Sequence, residues 1–553
     1  MGIAHNRRAV LIRGLDTDLR QSAIFITFAL LAVLHTWPLA SDPAHLSRND
    51  NADTLLNEWI VAWVGHQAPR QPLKLFEANI FYPEPRTLAY SEYLIVPSAL
   101  GAPLQAVGAS PVLVYNLLLM AGFTLTGWAG WLLIYRWTGD TWAGLVTGII
   151  LAFNAHTLTR LPQLQALHME FLPLALLWLE QLLQAGGTAK GTASGAEGLR
   201  YKAILIFAAC LALQGATSYY GLVLTAVALT VGWAVRGEYR HLGGILVAAS
   251  IALAILMPLY VPYLRLGQVR PLDEVAAYSA SARDYLATPA RVHFDTWSAR
   301  FFGGTTALFP GVIAMLLSGI AIASGVAFRD RRARTALAFG IVGIALSFGP
   351  ALPGYGLLYR IVPPLQGIRN AARFGYLATI AAAMLSGFAL AWMRARWGSN
   401  RVMPAVIAFV LVCANVDAFS GPIEYVKAES VSPLHGRLRD TDAIVVEIPA
   451  YPADRVFRNA PYLLHATQHW RPMVNGYSGL TPASYAQHAR DLARFPDDRA
   501  LETLRGIGVT HLFVHDRALR DWTDNETADA VSRAVGLELI DRDGDVYLYR
   551  VKK

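Results

Sequence analysis

A chain of 553 residues that is 54% apolar and only 16% charged, with a mean hydropathy of +0.36, has too little polar surface to be solvated as a globule, so lipid must be its solvent. The formal charge of +8 is scattered between apolar segments, not gathered into a stripe, which argues against a nucleic-acid face and for orientation against anionic lipid. The two cysteines, Cys210 and Cys413, both lie inside apolar runs, which argues against a disulfide framework and against a cysteine metal site.

The first apolar stretch, Ser22 to Leu39, follows Arg7, Arg8, Arg13 and Arg20 as a signal peptide would. It is long for a signal core and lacks a small-x-small cleavage site, so it is expected to be a retained signal-anchor helix with its N-terminus in the cytoplasm. Runs of spanning length occur near 21–40, 111–135, 141–155, 166–185, 203–218, 219–235, 243–263, 309–327, 335–350, 372–391 and 403–420, which predicts about eleven transmembrane helices. Threading them places Arg136, Lys190 to Lys202, Arg236 with Arg240, the run Arg329 to Arg334, and Arg394 with Arg396 and Arg401 on the cytoplasmic side, in accord with the positive-inside rule. The stretch Leu94 to Val107 contains Pro97, Gly101 and Pro103, and counting it as a span would invert the later loops; it is expected to be re-entrant or interfacial.

The outer face then carries segments 41–110, 264–308 and 350–371 and everything after Ser420. Beyond Ser420 the apolar runs shrink to strand length, as in Ala443 to Ile448 and Thr510 to Val514. Asp541 to Asp545 signals a turn into the alternating Val546 to Val551. The predicted architecture is an α-helical polytopic membrane bundle over 1–420 with a small soluble extracytoplasmic α/β domain over 421–553. The Gly/Ala/Ser/Thr-rich patch from Ala185 to Gly198 reads as a flexible cytoplasmic loop, and Asn525-Glu-Thr527 matches a glycosylation pattern that a bacterial setting would leave unused.

In the first outer loop, Asp50 and Asp53 precede a helix on which Leu55, Trp59 and Trp63 recur every four residues. Such a helix is expected along the membrane surface with its tryptophans at headgroup depth. A carboxylate there can deprotonate a hydroxyl or bind a divalent cation. Alternatively, Asp53 is the N-cap, with Asn57 and Glu58 on the wet face; the two roles are compatible. The segment from Asn154 to Glu170 concentrates His156, Arg160, Gln163, Gln165, His168 and Glu170 at a helix junction, and ionisable groups near membrane depth are functional candidates, although interfacial hydration also accounts for them. Tyr219 and Tyr220 at another outer turn suit an aromatic belt as well as ligand contact. Arg369 and Arg373, at spacing i, i+4, are expected on one face at a helix start, where planar guanidinium forks and the helix dipole favour a lipid phosphate or pyrophosphate; snorkelling to headgroups is the alternative.

Three segments, Asn51-Ala-Asp-Thr-Leu-Leu-Asn-Glu-Trp, Leu161-Pro-Gln-Leu-Gln-Ala-Leu-His and Pro363-Pro-Leu-Gln-Gly-Ile-Arg-Asn-Ala-Ala-Arg-Phe, resemble bacterial membrane glycosyltransferases of the GT-C class. The tail segment Arg471 to Tyr485 resembles uncharacterised proteins grouped near that class. The resemblance implies transfer of a sugar from a polyprenyl-phosphate donor to a lipid, glycan or protein acceptor on the outer side of a bacterial inner membrane, in the service of the cell envelope. It implies Asp53 as base, Arg369 and Arg373 on the donor phosphate, and Asp50, Glu58, Glu92, His156, Arg160, His168, Glu170, Tyr219 and Tyr220 as substrate contacts. Asn475, Tyr477 and Tyr485 of the tail domain would cap the cavity or recognise the acceptor. The short acidic motif of the class has one intervening residue, whereas two separate Asp50 from Asp53; a divalent cation (Mg2+ or Mn2+) on Asp50 and Asp53 is therefore left open.

Two other classes of function remain at this stage. A lipid-linked saccharide flippase would distribute polar residues through the spans, whereas here the candidates cluster outside and stretches such as Phe25 to Val33 are wholly apolar. A non-catalytic membrane scaffold on a degenerate glycosyltransferase fold is the third.

Overall fold

The computed structural model describes residues 2–184, 193–267, 269–303, 306–523 and 531–552, apart from the side chains of 2–18 and 193–196. The expected loop Ala185 to Gly198 lies outside the described residues up to 192, and its last residues open the helix Ala193–Thr217. The Asn525-Glu-Thr527 pattern also lies outside them.

All the apolar runs fall on helices: Gly2–His35, Pro111–Thr138, Thr141–Ala152, Phe171–Gln184, Ala193–Thr217, Tyr219–Arg236, Leu242–Leu266, Val312–Ala323, Arg331–Ser347, Tyr376–Trp397 and Met403–Ala418. Among the described residues, 7 helices are long and apolar enough to cross a membrane, with shorter apolar helices at Leu19–His35, Val312–Ala323 and Met403–Ala418. The chain is a membrane protein. The stretch near Leu94 forms the 12-residue helix Ile95–Ala106, too short to span.

The chain folds into two compact units, one comprising Met1–Asp42, Leu117–Tyr260 and Gly267–Glu424, the other Pro43–Asn116, Val261–Leu266 and Tyr425–Lys553. A division at 420/421 would assign 43–116 to the membrane helices, but this segment packs with the tail. Strand β1 (Leu46–Ser47) pairs antiparallel with β2 (Val426–Lys427), and Leu55 shares a small apolar cluster with Ala460 and Leu464.

In the first unit, lipid tails are as apolar as leucine, so helices associate by close packing at small residues. A Cβ at Gly127 would lie 2.5 Å from the Phe28 ring, and one at Gly148 would lie 2.3 Å from that ring and 2.4 Å from the Gly127 carbonyl oxygen. Glycine is therefore what lets Pro111–Thr138 and Thr141–Ala152 close around Phe28. At the helix ends, Arg236 pairs with Glu180, Arg394 pairs with Asp140, and Arg332 bonds Asp330 and the Trp137 carbonyl (2.8 Å). These contacts draw together the basic helix ends that the charge pattern assigns to one face.

In the second unit a four-stranded sheet has the order β3-β4-β6-β5. β3 (Val445–Ile448) runs parallel to β4 (His511–His515), while β6 (Val546–Val551) lies antiparallel between β4 and β5 (Leu537–Asp543). Asp541 to Asp543 belongs to β5, so the expected turn tightens to Gly544 and Asp545, with Gly544 at φ 58°, a left-handed value that suits glycine. Leu434, Leu438, Val445, Phe513 and Leu548 form the core beneath the sheet.

Candidate active site

The first-loop helix spans Ala52–Gln67, and its N-cap is Asn51, whose side chain accepts from the Asp53 N–H (2.9 Å). Asp53 is thus a first-turn acid, favoured by the helix dipole, and not the cap. The expected surface-lying helix is instead buried from Thr54 to Val64. Trp59 and Trp63 are core residues; their indole N–H groups donate to Asn79 Oδ1 (3.2 Å) and the Leu75 carbonyl (2.8 Å), so the polar edge that would seek headgroups finds protein partners. Asn57 and Glu58, expected on a wet face, are buried too. Ser47 donates to Glu58 Oε1 at 3.0 Å, and the Asn49 amide, with its nitrogen turned toward the carboxyl, donates at 3.0 and 3.3 Å. Burial outweighs these donors and pushes the Glu58 carboxyl up to about 8.

Asp53 is held from the far end of the chain. Residues 472–475 form a strip bonded on one edge to Val445 (Val445 N–H to the Pro472 carbonyl, Val474 N–H to the Val445 carbonyl, both 2.9 Å). On the other edge the Met473 N–H donates to the Asn79 carbonyl at 3.0 Å, and the Phe81 N–H to the Asn475 carbonyl at 3.1 Å. Beyond the strip, a Cβ at Gly476 would lie 2.8 Å from the Phe81 ring and one at Gly479 2.8 Å from the Tyr90 carbonyl oxygen, so only glycine passes this close. The loop so fixed presents Tyr477, whose ring packs on the Leu55 cluster and whose hydroxyl donates to Asp53 Oδ1 at 2.8 Å. Of the other tail candidates, Asn475 is buried against the backbone of Glu447 (2.7 and 2.9 Å), and Tyr485 bonds the Tyr451 carbonyl (2.7 Å); both serve the core.

Asp50 is exposed and turned into a fork with Arg48, whose Nε and Nη2 lie 3.0 and 3.2 Å from its two oxygens. Both oxygens of Asp50 lie on a guanidinium, so a divalent cation on Asp50 would displace Arg48. Glu92 is half-buried on the segment between Tyr90 and Ile95.

In the first unit, Arg369 and Arg373 do not share a helix. The short helix Pro363–Gln366 ends at Gly367, and Arg369 precedes the separate turn Ala371–Gly375, which carries Arg373 into the helix Tyr376–Trp397. They converge instead on Tyr220. The Arg369 N–H donates to the Tyr220 hydroxyl (3.2 Å), and the Arg373 guanidinium lies over the Tyr220 ring at 4.0 Å. The Arg369 guanidinium lies over Tyr278 at 4.3 Å with Glu274 at 3.7 Å, and the Tyr219 hydroxyl donates to the Pro364 carbonyl (2.7 Å). The two tyrosines therefore shape the arginine loop.

The 154–170 junction is buried. The His156 ring stacks on Tyr376 at 4.6 Å, and Arg160 is 4% exposed. His168 Nδ1 faces Glu170 Oε1 at 3.1 Å and Nε2 donates to the Leu118 carbonyl at 3.0 Å. Thr126 stands 3.4 Å from the second Glu170 oxygen, completing a knot of polar groups inside the helices.

A further polar centre was not singled out by the sequence reading: Glu447 on β3, surrounded by His435, His465 and His515. Its signal was present, since Glu447 interrupts an otherwise apolar strand.

No protein-family model and no curated protein sequence matches the chain. Among solved structures, it is similar to the archaeal oligosaccharyltransferase AglB from Archaeoglobus fulgidus in complex with an inhibitory peptide and a dolichol-phosphate, at TM-score 0.53 and 12% identity over 96% of this chain and 74% of that one. The same enzyme in complex with Zn and sulfate gives TM-score 0.51 and 14% identity over 95% and 72%. The chain has the GT-C fold. ArnT from Cupriavidus metallidurans bound to undecaprenyl phosphate is also similar, at TM-score 0.49 and 13% identity, over 96% of this chain and 97% of that one. Within this GT-C fold, the first unit gathers Arg369, Arg373, Tyr219 and Tyr220, and the second joins Asp53 to Tyr477.

Proposed function

We propose that this chain is a membrane glycosyltransferase that moves a sugar from a polyprenyl-phosphate carrier to an acceptor hydroxyl or amide, with Asp53 as the base. The observation that carries the proposal is the fixed Asp53 carboxylate, held by Tyr477 at the head of a first-loop helix in a chain with the GT-C fold. The acceptor group attacks the anomeric carbon, its proton passes to Asp53, and the bond from that carbon to the phosphate oxygen breaks, leaving its electron pair on the phosphate. Arg369 and Arg373 are assigned to the phosphate, since cations aimed where charge develops lower the barrier most. Tyr477 fixes the carboxylate's orientation, a contribution to positioning rather than to proton transfer. No step requires a metal. AglB has been solved with Zn, so dependence on a divalent cation belongs to the test. Clustering of basic residues at one set of helix ends supports an active face on the non-cytoplasmic side, and the resemblance to bacterial GT-C enzymes implies the inner membrane.

The test is sugar transfer by purified, lipid-reconstituted protein given a panel of radiolabelled polyprenyl-phosphate sugars, native against Asp53→Asn, with and without EDTA. Label moved or hydrolysed only with Asp53 intact supports the proposal. Intact donors throughout, or a fully active Asp53→Asn, refute it.

A further inference from the structure

The second unit contains a centre that sugar transfer does not use. Among the described residues, His435, Glu447, His465 and His515 form the group of metal-ligating side chains whose ligand atoms all lie within 4.8 Å of one another. They come from separate elements. His435 lies on the turn Pro433–Leu438, Glu447 on β3, His465 on the helix Ala460–His469, and His515 at the end of β4. His435 and Glu447 are fully buried, and the side chains of His465 and His515 are only 16% and 11% exposed.

The three rings each turn a nitrogen toward the Glu447 carboxylate. His435 Nδ1 faces the Ser432 carbonyl at 3.1 Å, an acceptor, so Nδ1 carries the proton. In the neutral ring Nε2 then directs a lone pair at Glu447 Oε1, 3.1 Å away. His465 Nδ1 points at the same oxygen from 3.3 Å. His515 Nε2 approaches Oε2 at 2.5 Å. Satisfying the His435 contact with a proton would make that buried ring an imidazolium, while His465 and His515 can each donate one N–H as neutral rings. One divalent ion accepts the lone pairs of neutral imidazoles and the carboxylate together.

We propose that His435, Glu447, His465 and His515 are a four-ligand site for a divalent transition-metal ion of the zinc class. Three imidazoles and a carboxylate match the ligand preference of zinc, and four protein ligands make a closed, structural site. Zinc bonds of about 2.0–2.1 Å in a tetrahedron put ligand atoms roughly 3.3 Å apart, and the ligand atoms here lie within 4.8 Å of one another, so the side chains draw in around the ion. The shell behind the ligands is built as well. The Ser432 carbonyl fixes the His435 tautomer, Phe513 stacks on the His435 ring at 4.0 Å, and Tyr462 stacks on the His515 ring at 5.1 Å. His469, one turn from His465, is not a ligand: its Nδ1 accepts from the Arg471 N–H at 2.9 Å, which commits the other nitrogen to the proton. Bound metal ties the helix and the turn to the parallel pair β3/β4.

The experiment is elemental analysis of the full-length chain purified in detergent without a metal-affinity tag and dialysed against a weak chelator, followed by visible spectroscopy after Co2+ loading. About one zinc per chain is expected, kept in Asp53→Asn and lost in His465→Asn, with the intense visible bands of a four-coordinate site when Co2+ replaces it. Should His465→Asn fail to fold, the Co2+ spectrum of the native chain decides by itself. Less than a tenth of an equivalent after zinc addition overturns the proposal, as does octahedral-type weak absorbance, metal retained by folded His465→Asn, or metal lost with Asp53→Asn.

Discussion

The Tyr477 hydroxyl donates to the Asp53 carboxylate at 2.8 Å across 424 residues of sequence. The contact joins the first loop to the tail, and it is geometric, so the two members should fail differently. Asp53→Asn is expected to cut sugar transfer by about 10²–10⁴-fold, the range for losing a general base. Tyr477→Phe keeps the ring on its apolar cluster and should cost about ten-fold in kcat, with little change in thermal stability. Equal losses in both variants would mean that Tyr477 does more than orient the carboxylate.

Tyr220 offers a separate test of the arginine loop. Tyr220→Phe preserves the ring beneath Arg373 and removes only the oxygen that accepts the Arg369 N–H, whereas Tyr220→Leu removes the ring as well. A cation over an aromatic face is worth about 0.5–2 kcal/mol, so donor KM should rise several-fold in Tyr220→Leu and hardly at all in Tyr220→Phe. Arg373→Ala should lower kcat by about 10²-fold or more if the charge meets the leaving phosphate. An unchanged kcat in Arg373→Ala would remove this residue from the mechanism.

Glu58 predicts a pH dependence of stability. Burial raises its carboxyl from an ordinary 4.5 to about 8 in the folded state, so the folded protein holds a proton that the unfolded chain releases. The contribution to stability is complete below about 4.5, declines as the pH rises, and is gone once it passes about 8. The midpoint of thermal denaturation in detergent should therefore fall between pH 6 and pH 9 by more in the native chain than in Glu58→Gln, which stays neutral throughout. Parallel falls in the two proteins would show that Glu58 titrates normally.

Helix packing around Phe28 gives a prediction with two arms. The close contacts of a Gly127 methyl are with the Phe28 ring, but those of a Gly148 methyl include the Gly127 carbonyl oxygen. Gly127→Ala and Gly148→Ala should each destabilise by about 1–3 kcal/mol, and Phe28→Ala should relieve the first but not the second. The yield of folded protein on size exclusion and its melting temperature report both, and rescue of Gly148→Ala by Phe28→Ala would contradict the packing described.

The apolar helices, the basic helix ends and the strands of the tail were legible because each is written in local periodicity: a bilayer demands a continuous apolar run, and a sheet demands alternation. Asp53, Arg369 and Arg373 were legible as residues whose charge is costly near lipid. Their settings were not. Spacing i, i+4 suggested a common helix face for the two arginines, yet the helical turn before them ends at Gly367 and Arg369 lies outside the next one, and what unites them is Tyr220 on another helix. Trp59 and Trp63 have the spacing of a membrane-surface stripe and are core residues, because residues 43–116 pack with the tail.

The sequence by itself determined the solvent and the helical class, since these follow from composition and short-range pattern. Only the tertiary structure decided which side chains meet. Tyr477 reaches Asp53, and four ligating side chains from a turn, a helix and two strands close on one point, through contacts between positions far apart in the chain, which no local period encodes.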